Sequence, residues 1–428
     1  MLKVRPYQAE GLARVTKLMQ TQPVFVEGST TGYGKTVVVA LAAKAAGLTP
    51  AIICPKSVIG HWEETFAKVG IKPLFVLTPN RVKSGQAAPY GSWKIRNKQW
   101  RWSLPEDHIL IFDEAHMYRT RKTQNGKLLT GVRRSPGTRA ALVSATLGES
   151  PLDMFVTGQV LGLHEGGDDY YHWCKAHGCV KGKWGMLYKL GAEGMVPIHR
   201  QIYPDRGHRC DASKLDGFPA SQLDTVGISS DDASKVQKQL DALAELREQD
   251  AALPVVDRLR ARQAVELLKV AGLTEMADND VASGNNVVIF VNFIETLRAL
   301  QHHFGESKCS TIHGSQTSQV RTLNQDRFQG NQVNVIICQI KSGGQSIDLH
   351  DLYGRPRVSY LCPSDSATAT VQALGRTPRS GAVSSSIQHM VFATGTIEEQ
   401  VRKRVEQKIE NIAALNDGDL DMFEQGEK

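Results

Sequence analysis

VFVEGSTTGYGKT, residues 24–36, carries a short β-branched apolar run into a glycine-bearing loop and straight on into TVVVALAAKAAG (36–47), a stretch of helical composition. Strand, tight loop and helix form half of a βα unit, and this loop has the chemistry of a phosphate cradle. Gly32 and Gly34 let the backbone wrap closely, so that successive N–H groups can converge on an anion at a helix N-terminus. Lys35 offers a point charge to β- and γ-phosphates, the Thr36 hydroxyl suits Mg²⁺, and Thr31 and Tyr33 lie in the same loop. Ser29 stands where the fuller pattern has its first glycine. A plain glycine turn before a helix is the bland alternative, and the strand before it and helix after it count against that reading.

Outward from this loop, apolar runs of strand length recur in two blocks. AIICP (51–55), PLFVL (73–77), HILIFDE (108–114) and RAALVSATL (139–147) complete the first. NVVIFVNF (286–293), CSTIHG (309–314), VNVIICQ (333–339), VSYLCP (358–363) and SIQHMVF (386–392) make the second. Continuous apolar runs suit parallel sheets covered on both faces, and helical patterns between them predict two doubly wound α/β domains. Residues 160–225 are rich in Gly, His and aromatics without clear period, and 231–280 read as two polar helices broken at Pro254. The expected division is therefore 1–160, an intervening 161–280, and 281–428, closed by a long helix from GTIEEQVRKRVEQK (395–408).

A chain of 428 residues exceeds one ordinary core, and 41% hydrophobic with 22% charged residues is the composition of a globular protein rather than a disordered or fibrous one. No apolar stretch is long enough to span a membrane, MLKVRPYQAEG lacks the pattern of a secretory signal, and seven scattered cysteines suit a reducing compartment. These features predict a cytoplasmic protein. The net charge of +7 is unevenly spread: no acid interrupts the basic residues from Arg81 to Arg101, among which lie Tyr90, Trp93, Trp100 and Trp102. None interrupts 117–148 either, where Arg119, Arg121 and Lys122 begin a second basic run. Such segments suit a nucleic acid, through phosphate neutralisation and base stacking; locally packed aromatics under a solvated basic face are the alternative.

DEAH (113–116) ends the run ILIF, so its carboxylates emerge at a sheet edge that doubly wound folds use for ligands. Asp113 is expected to hold Mg²⁺ and Glu114 to orient and deprotonate the attacking water. In QALGRTPRSG (372–381), Arg376 and Arg379 are three apart and would share one face of a helix. From the second domain they could serve as arginine fingers, making hydrolysis depend on domain closure.

The order of these motifs resembles helicase superfamily two, and within it the Swi/Snf-type DNA-dependent ATPases, over nearly the whole chain. The resemblance implies two RecA-like lobes with a helical or irregular insertion between them. RPYQAEGL (5–12) is similar to the adenine-recognition motif, which makes Gln8 the adenine reader with Arg5 in support. ICPKSVIGHW (53–62) resembles a motif that touches the nucleic acid backbone, here through Lys56 and Ser57. LVSATL (142–147) resembles the motif that couples the two sites, through Ser144 and Thr146, and Gln372 is placed with it. IHGS (312–315) and KSGGQSIDL (341–349) are similar to second-lobe motifs. They give His313, Gly314, Ser315, Lys341 and Ser342 to the nucleic acid, and Gly344 and Asp348 to the nucleotide.

What the resemblance implies is an ATP- and Mg²⁺-dependent monomeric motor on duplex, forked or branched DNA, sequence-tolerant, with a replication or recombination protein as an expected partner. An RNA-directed helicase and an ATP-switched clamp are the alternatives. Ser-Ala-Thr replaces the Thr-Gly-Thr of chromatin remodellers, and no chromatin-reading domain accompanies the motor, which resembles small phage or mobile-element members. HWCKAHGC (172–179) holds two His and two Cys, but at spacings too tight for the usual pairs of zinc ligands. Packing between the lobes is its expected role.

Overall fold

The computed structural model describes residues 4–94, 98–183, 185–203, 205–211, 214–215, 218–229, 255–340, 347–379 and 381–417. By internal contacts the chain forms two compact units, Met1–Leu215 with Gln407–Lys428, and Asp216–Glu406. Each contains one six-stranded, all-parallel sheet with helices, so the fold is the expected pair of parallel α/β lobes. The expected break at Pro254, and the helix before it, lie outside the described residues.

In the first unit the strands are β1 (Val24–Glu27), β2 (Thr49–Ile53), β3 (Phe75–Leu77), β4 (His108–Asp113), β5 (Arg139–Val143) and β6 (Gly207–His208), in the order β6-β1-β5-β4-β2-β3. Val143 is level with both Glu27 and Asp113, so the loops after β1, β5 and β4 leave one edge side by side. Phe25, Ile52, Ile111 and Ala141 are fully buried, as strands covered on both faces require. Two-residue β6 adds a parallel edge beside β1, pairing Val26 with Gly207 and Glu27 with His208. Segment 161–215 packs within this unit.

The aromatics of the first basic segment fold inward. Trp93 and Trp100–Trp102 lie on a hairpin, Gly91–Lys94 with Gln99–Trp102, whose rings pack edge to face. Trp100 and Trp102 are buried, and Trp102 Nε1 donates to Leu128 O at 2.9 Å. Trp100 and Trp102 thus build core, the locally packed alternative that composition had left open. The His/Cys cluster, expected to pack between the lobes, packs into the first unit's own core. Cys174 and Cys179 are buried in this unit's core, and His177 Nδ1 lies 2.7 Å from Trp173 O. Among the described residues no group of three or more His, Cys, Asp or Glu is placed to hold a metal.

The second unit's sheet runs β7-β12-β11-β8-β10-β9. It comprises β7 (Ser221–Ile228), β8 (Asn286–Val291), β9 (Cys309–Ile312), β10 (Val335–Gln339), β11 (Arg357–Leu361) and β12 (Ser386–Ala393). β8 is central and wholly buried. A buried charge network ties helix Val255–Leu268 and the residue after it to this sheet. Glu266 accepts from the backbone N–H groups of Asn292 and Phe293, while Lys269 Nζ meets Glu398 at 2.8 Å. Lys269 and Glu398 are 0% and 2% exposed. Losing one partner strands a buried charge, so Lys269→Met is expected to cost about 3 kcal/mol, read as a shift in denaturant midpoint. A loss below about 0.5 kcal/mol, the size of an exposed pair, would contradict this reading of the network.

Candidate functional site

The phosphate-cradle loop folds as its glycines require. Gly32 and Gly34 have φ of 83° and 93°, and Gly34 opens helix Lys35–Ala45. A side chain at Gly34 would also strike Gln8, whose Nε2 donates to Tyr33 O at 2.8 Å. Gln8 is thus seated on the loop, 5% exposed, with its Oε1 accepting from Arg5 N. Lys35 Nζ donates to the carbonyls of Ser29 and Thr30 at 2.8 and 3.0 Å. Burial pulls its pKa down to about 8, opposed by the charges of Glu114 and Glu27. Thr31 and Thr36 are half-buried beside it, and Tyr33 is fully buried.

Asp113 ends β4 one strand away from β5. Its Oδ2 accepts from Trp62 Nε1 at 2.8 Å and its Oδ1 from Glu114 N at 3.0 Å. Burial, then the neighbouring Glu114 charge, pushes its pKa up to about 6. Glu114 adopts φ 50°, a left-handed conformation uncommon for a residue with a side chain. That turn brings Glu114 Oε2 within 3.3 Å of His116 Nδ1, which is also 3.3 Å from Ser144 Oγ. His116 Nδ1 therefore lies between the Glu114 carboxylate and the loop after β5. There Ser144 and Thr146 are both 1% exposed, and Ser144 Oγ accepts from Thr146 N at 3.2 Å. Thr146 Oγ1 is buried without a hydrogen-bond partner among the described residues. One sheet edge thus gathers the loop lysine, two carboxylates and the Ser144–Thr146 loop.

Basic residues flank this edge. Lys56 and Ser57 are exposed on the turn after β2. Arg119 pairs with Asp153 at 3.4 Å, Arg121 lies 4.6 Å above the Phe155 ring, and Lys122 is exposed. The three border an open surface cavity of about 240 Å³ that Tyr170 and Tyr171 also line.

In the second unit, Arg376 and Arg379 do not share a helix face. Helix Ala367–Leu374 stops at Gly375, and Pro378 bars its continuation, so both arginines lie in the loop beyond it. Gln388 Nε2 holds this loop through Leu374 O and Thr377 Oγ1, at 2.7 and 2.8 Å. Arg376 is 5% exposed and donates to Ile347 O, while Arg379 pairs with Asp348. The two motifs that contribute them are therefore adjacent. Gln372 is buried on the preceding helix. His313, Gly314 and Ser315 follow β9; Ser315 Oγ is 2.9 Å from His313 Nδ1, and Gly314 N reaches Gln339 Oε1 at 3.4 Å. Lys341, Ser342 and Gly344 lie outside the described residues.

Sequence reasoning missed the partners behind these groups. Trp62 orients Asp113. Glu27, fully buried at the end of β1, accepts from Ser29 N at 3.2 Å and lies 2.7 Å from His208 Nδ1. An acid inside an apolar strand just before the loop was the available signal for Glu27; nothing local marked His208.

Residues 267–381 match the helicase conserved C-terminal domain family. A protein of Acanthamoeba polyphaga mimivirus named as an ATP-dependent RNA helicase is 29% identical over 461 aligned residues, covering 98% of this chain and 84% of that one. Among solved structures, S. cerevisiae Dbp5 bound to RNA and ADP BeF3 superposes with a TM-score of 0.51 at 15% identity, over 94% of this chain and 87% of that one. A Sulfolobus solfataricus SWI2/SNF2 ATPase core in complex with dsDNA gives 0.38 at 17% identity, over 94% and 90%. The Dbp5 likeness bears out the RecA-like pair of lobes. The likeness to helicases rests on the domain match within 267–381 and on a relative 29% identical. No helix among the described residues is long and apolar enough to cross a membrane.

Proposed function

We propose that this chain couples ATP hydrolysis to movement along nucleic acid, with DNA as the track. The observation that carries the reading is the level sheet edge at which the loop after β1, the DEAH carboxylates after β4 and the Ser144–Thr146 loop after β5 meet, joined by His116. An ATPase needs the first two; a motor needs the third, because something must report the nucleotide's state to the track.

The residues present fit ATP and Mg²⁺. The loop's glycines free its amides to face phosphate, and Asp113 and Thr36 offer hard oxygen donors of the kind Mg²⁺ takes. When bound, the ion would neutralise phosphate charge. Gln8 reads the adenine with Arg5 in support, Lys35 leaves its carbonyls for the phosphates, and Glu114 orients the attacking water and takes its proton. Arg376 and Arg379, with Asp348 setting the latter's orientation, are assigned to the γ-phosphate. Lys341 and Ser342, with Lys56, Ser57 and 313–315, are assigned to track phosphates, and Gly344 to the nucleotide. Phosphate contacts carry no sequence information, so binding is sequence-tolerant and salt-dependent.

Arg121 and Lys122 extend this grip from the first unit. Reversing both to Glu is expected to weaken nucleic-acid affinity about tenfold and to flatten the plot of log K against log salt by about 2, near 0.9 per lost phosphate contact. ATP affinity should stay the same. An unchanged salt slope would remove these residues from the interface.

A second reading, an RNA-directed helicase, is favoured by the mimivirus relative's name. ATP turnover compared across forked DNA and RNA of one sequence separates the two: the DNA reading expects the larger stimulation from DNA, and the reverse order replaces it.

A further inference from the structure

Strand β6 continues past His208 along the nucleotide loop. Gly28 N donates to His208 O, Thr30 N to Cys210 O, and Cys210 N to Ser29 Oγ, at 2.9, 3.0 and 3.1 Å. Between these lies Arg209. Its Nη1 donates to Gly28 O at 2.5 Å, and its Nε and Nη2 grip the two oxygens of Asp417 at 2.7 and 2.8 Å. Both side chains are largely withdrawn from solvent, at 11% and 14% exposed.

Gly28 C=O and Ser29 N–H belong to one planar peptide. Pinning the oxygen therefore fixes the direction of that N–H, whose partner is Glu27 Oε1 at 3.2 Å. The first peptide of the loop is thus held at both ends by buried charged groups. Asp417 lies in the last described turn of helix Ile397–Asp417. The same turn also reaches the coupling loop, where Asn416 Nδ2 donates to Ala145 O at 2.7 Å. Ala414 and Leu415 beside it are buried in the first unit's core.

We infer that Arg209, oriented by Asp417, is a positioning residue for the nucleotide loop, so that the last described turn of helix Ile397–Asp417 forms part of the ATP site. Arg209 touches the loop backbone and acts through it. This role rests on the ATPase reading above and adds to it a regulation point: whatever loosens the end of the helix lowers the affinity of the loop for ATP.

The test uses the full chain, measuring KM for ATP, kcat and melting temperature for wild type, Arg209→Ala, Arg209→Lys, Asp417→Asn and Asn411→Ala. Asn411 Nδ2 donates to Glu149 O at 3.0 Å from the same helix, away from the loop, and serves as the control for simple loss of packing. Loss of a charged hydrogen bond predicts a KM raised about tenfold in Arg209→Ala and Asp417→Asn, with kcat changed much less. Arg209→Lys should recover part of the loss, since an ammonium can meet Gly28 O but cannot also fork the carboxylate. Asn411→Ala should lower the melting temperature without moving KM. Asp417→Asn conserves volume and decides the matter if Arg209→Ala does not fold. Melting temperatures that fall alike in all variants with KM unmoved would overturn the inference and leave Arg209 a structural brace. A wild type that turns over no ATP would instead sink the ATPase reading, and the inference with it.

Discussion

Lys35→Ala is expected to lower ATP turnover by about a hundred- to a thousandfold, the loss that follows removal of a preorganised charge-stabilising donor. Lys35 Nζ is held by the carbonyls of Ser29 and Thr30, and its ammonium is disfavoured by burial and so poised to gain from an approaching phosphate. Alanine removes that charge at the loop where binding and transition-state stabilisation coincide, so KM and kcat should both suffer. Steady-state hydrolysis alongside melting temperature checks this. Turnover within about threefold of wild type, in a folded variant, would place the chemistry elsewhere.

Glu114→Gln should leave ATP affinity near wild type while lowering kcat about a thousandfold, within the span attributed to a positioned general base. Glutamine keeps the volume and tolerates the left-handed backbone as well as glutamate does, so the fold at φ 50° is preserved. It can still donate or accept at His116, 3.3 Å away, but it cannot take a proton from water. Binding of a fluorescent ATP analogue set against turnover separates the two functions. Joint loss of binding and turnover would assign Glu114 to holding the nucleotide, and retained turnover would remove it from the chemistry.

The strands of both sheets were legible because buried parallel strands need continuous apolar runs, and VNVIICQ or HILIFDE can satisfy little else. The glycine loop after β1 and DEAH stood out for a different reason: the phosphate and water chemistry proposed for them demands fixed residue types at fixed spacings. The edges were not. β6 is two residues long and β7, SQLDTVGI, has no buried residue, so neither carries the apolar signal of a central strand. The arginine pair was misplaced on a helix although Gly375 and Pro378 announce its end. The tryptophans near 100 could be read as base-stacking or as locally packed because charge surrounds them; a hairpin places alternate residues on opposite faces and turned Trp100 and Trp102 inward. The hold of Arg209 on Asp417 joins positions 208 apart and has no local pattern at all.

The most direct measurement is ATP turnover by the wild-type chain alone and with duplex DNA, forked DNA, single-stranded DNA and RNA, each titrated at fixed salt. A motor whose coupling loop joins its carboxylates to the track predicts turnover that rises severalfold with nucleic acid, and most with duplex or forked DNA. Turnover indifferent to all of them would contradict the central claim, leaving an ATPase with no nucleic acid track.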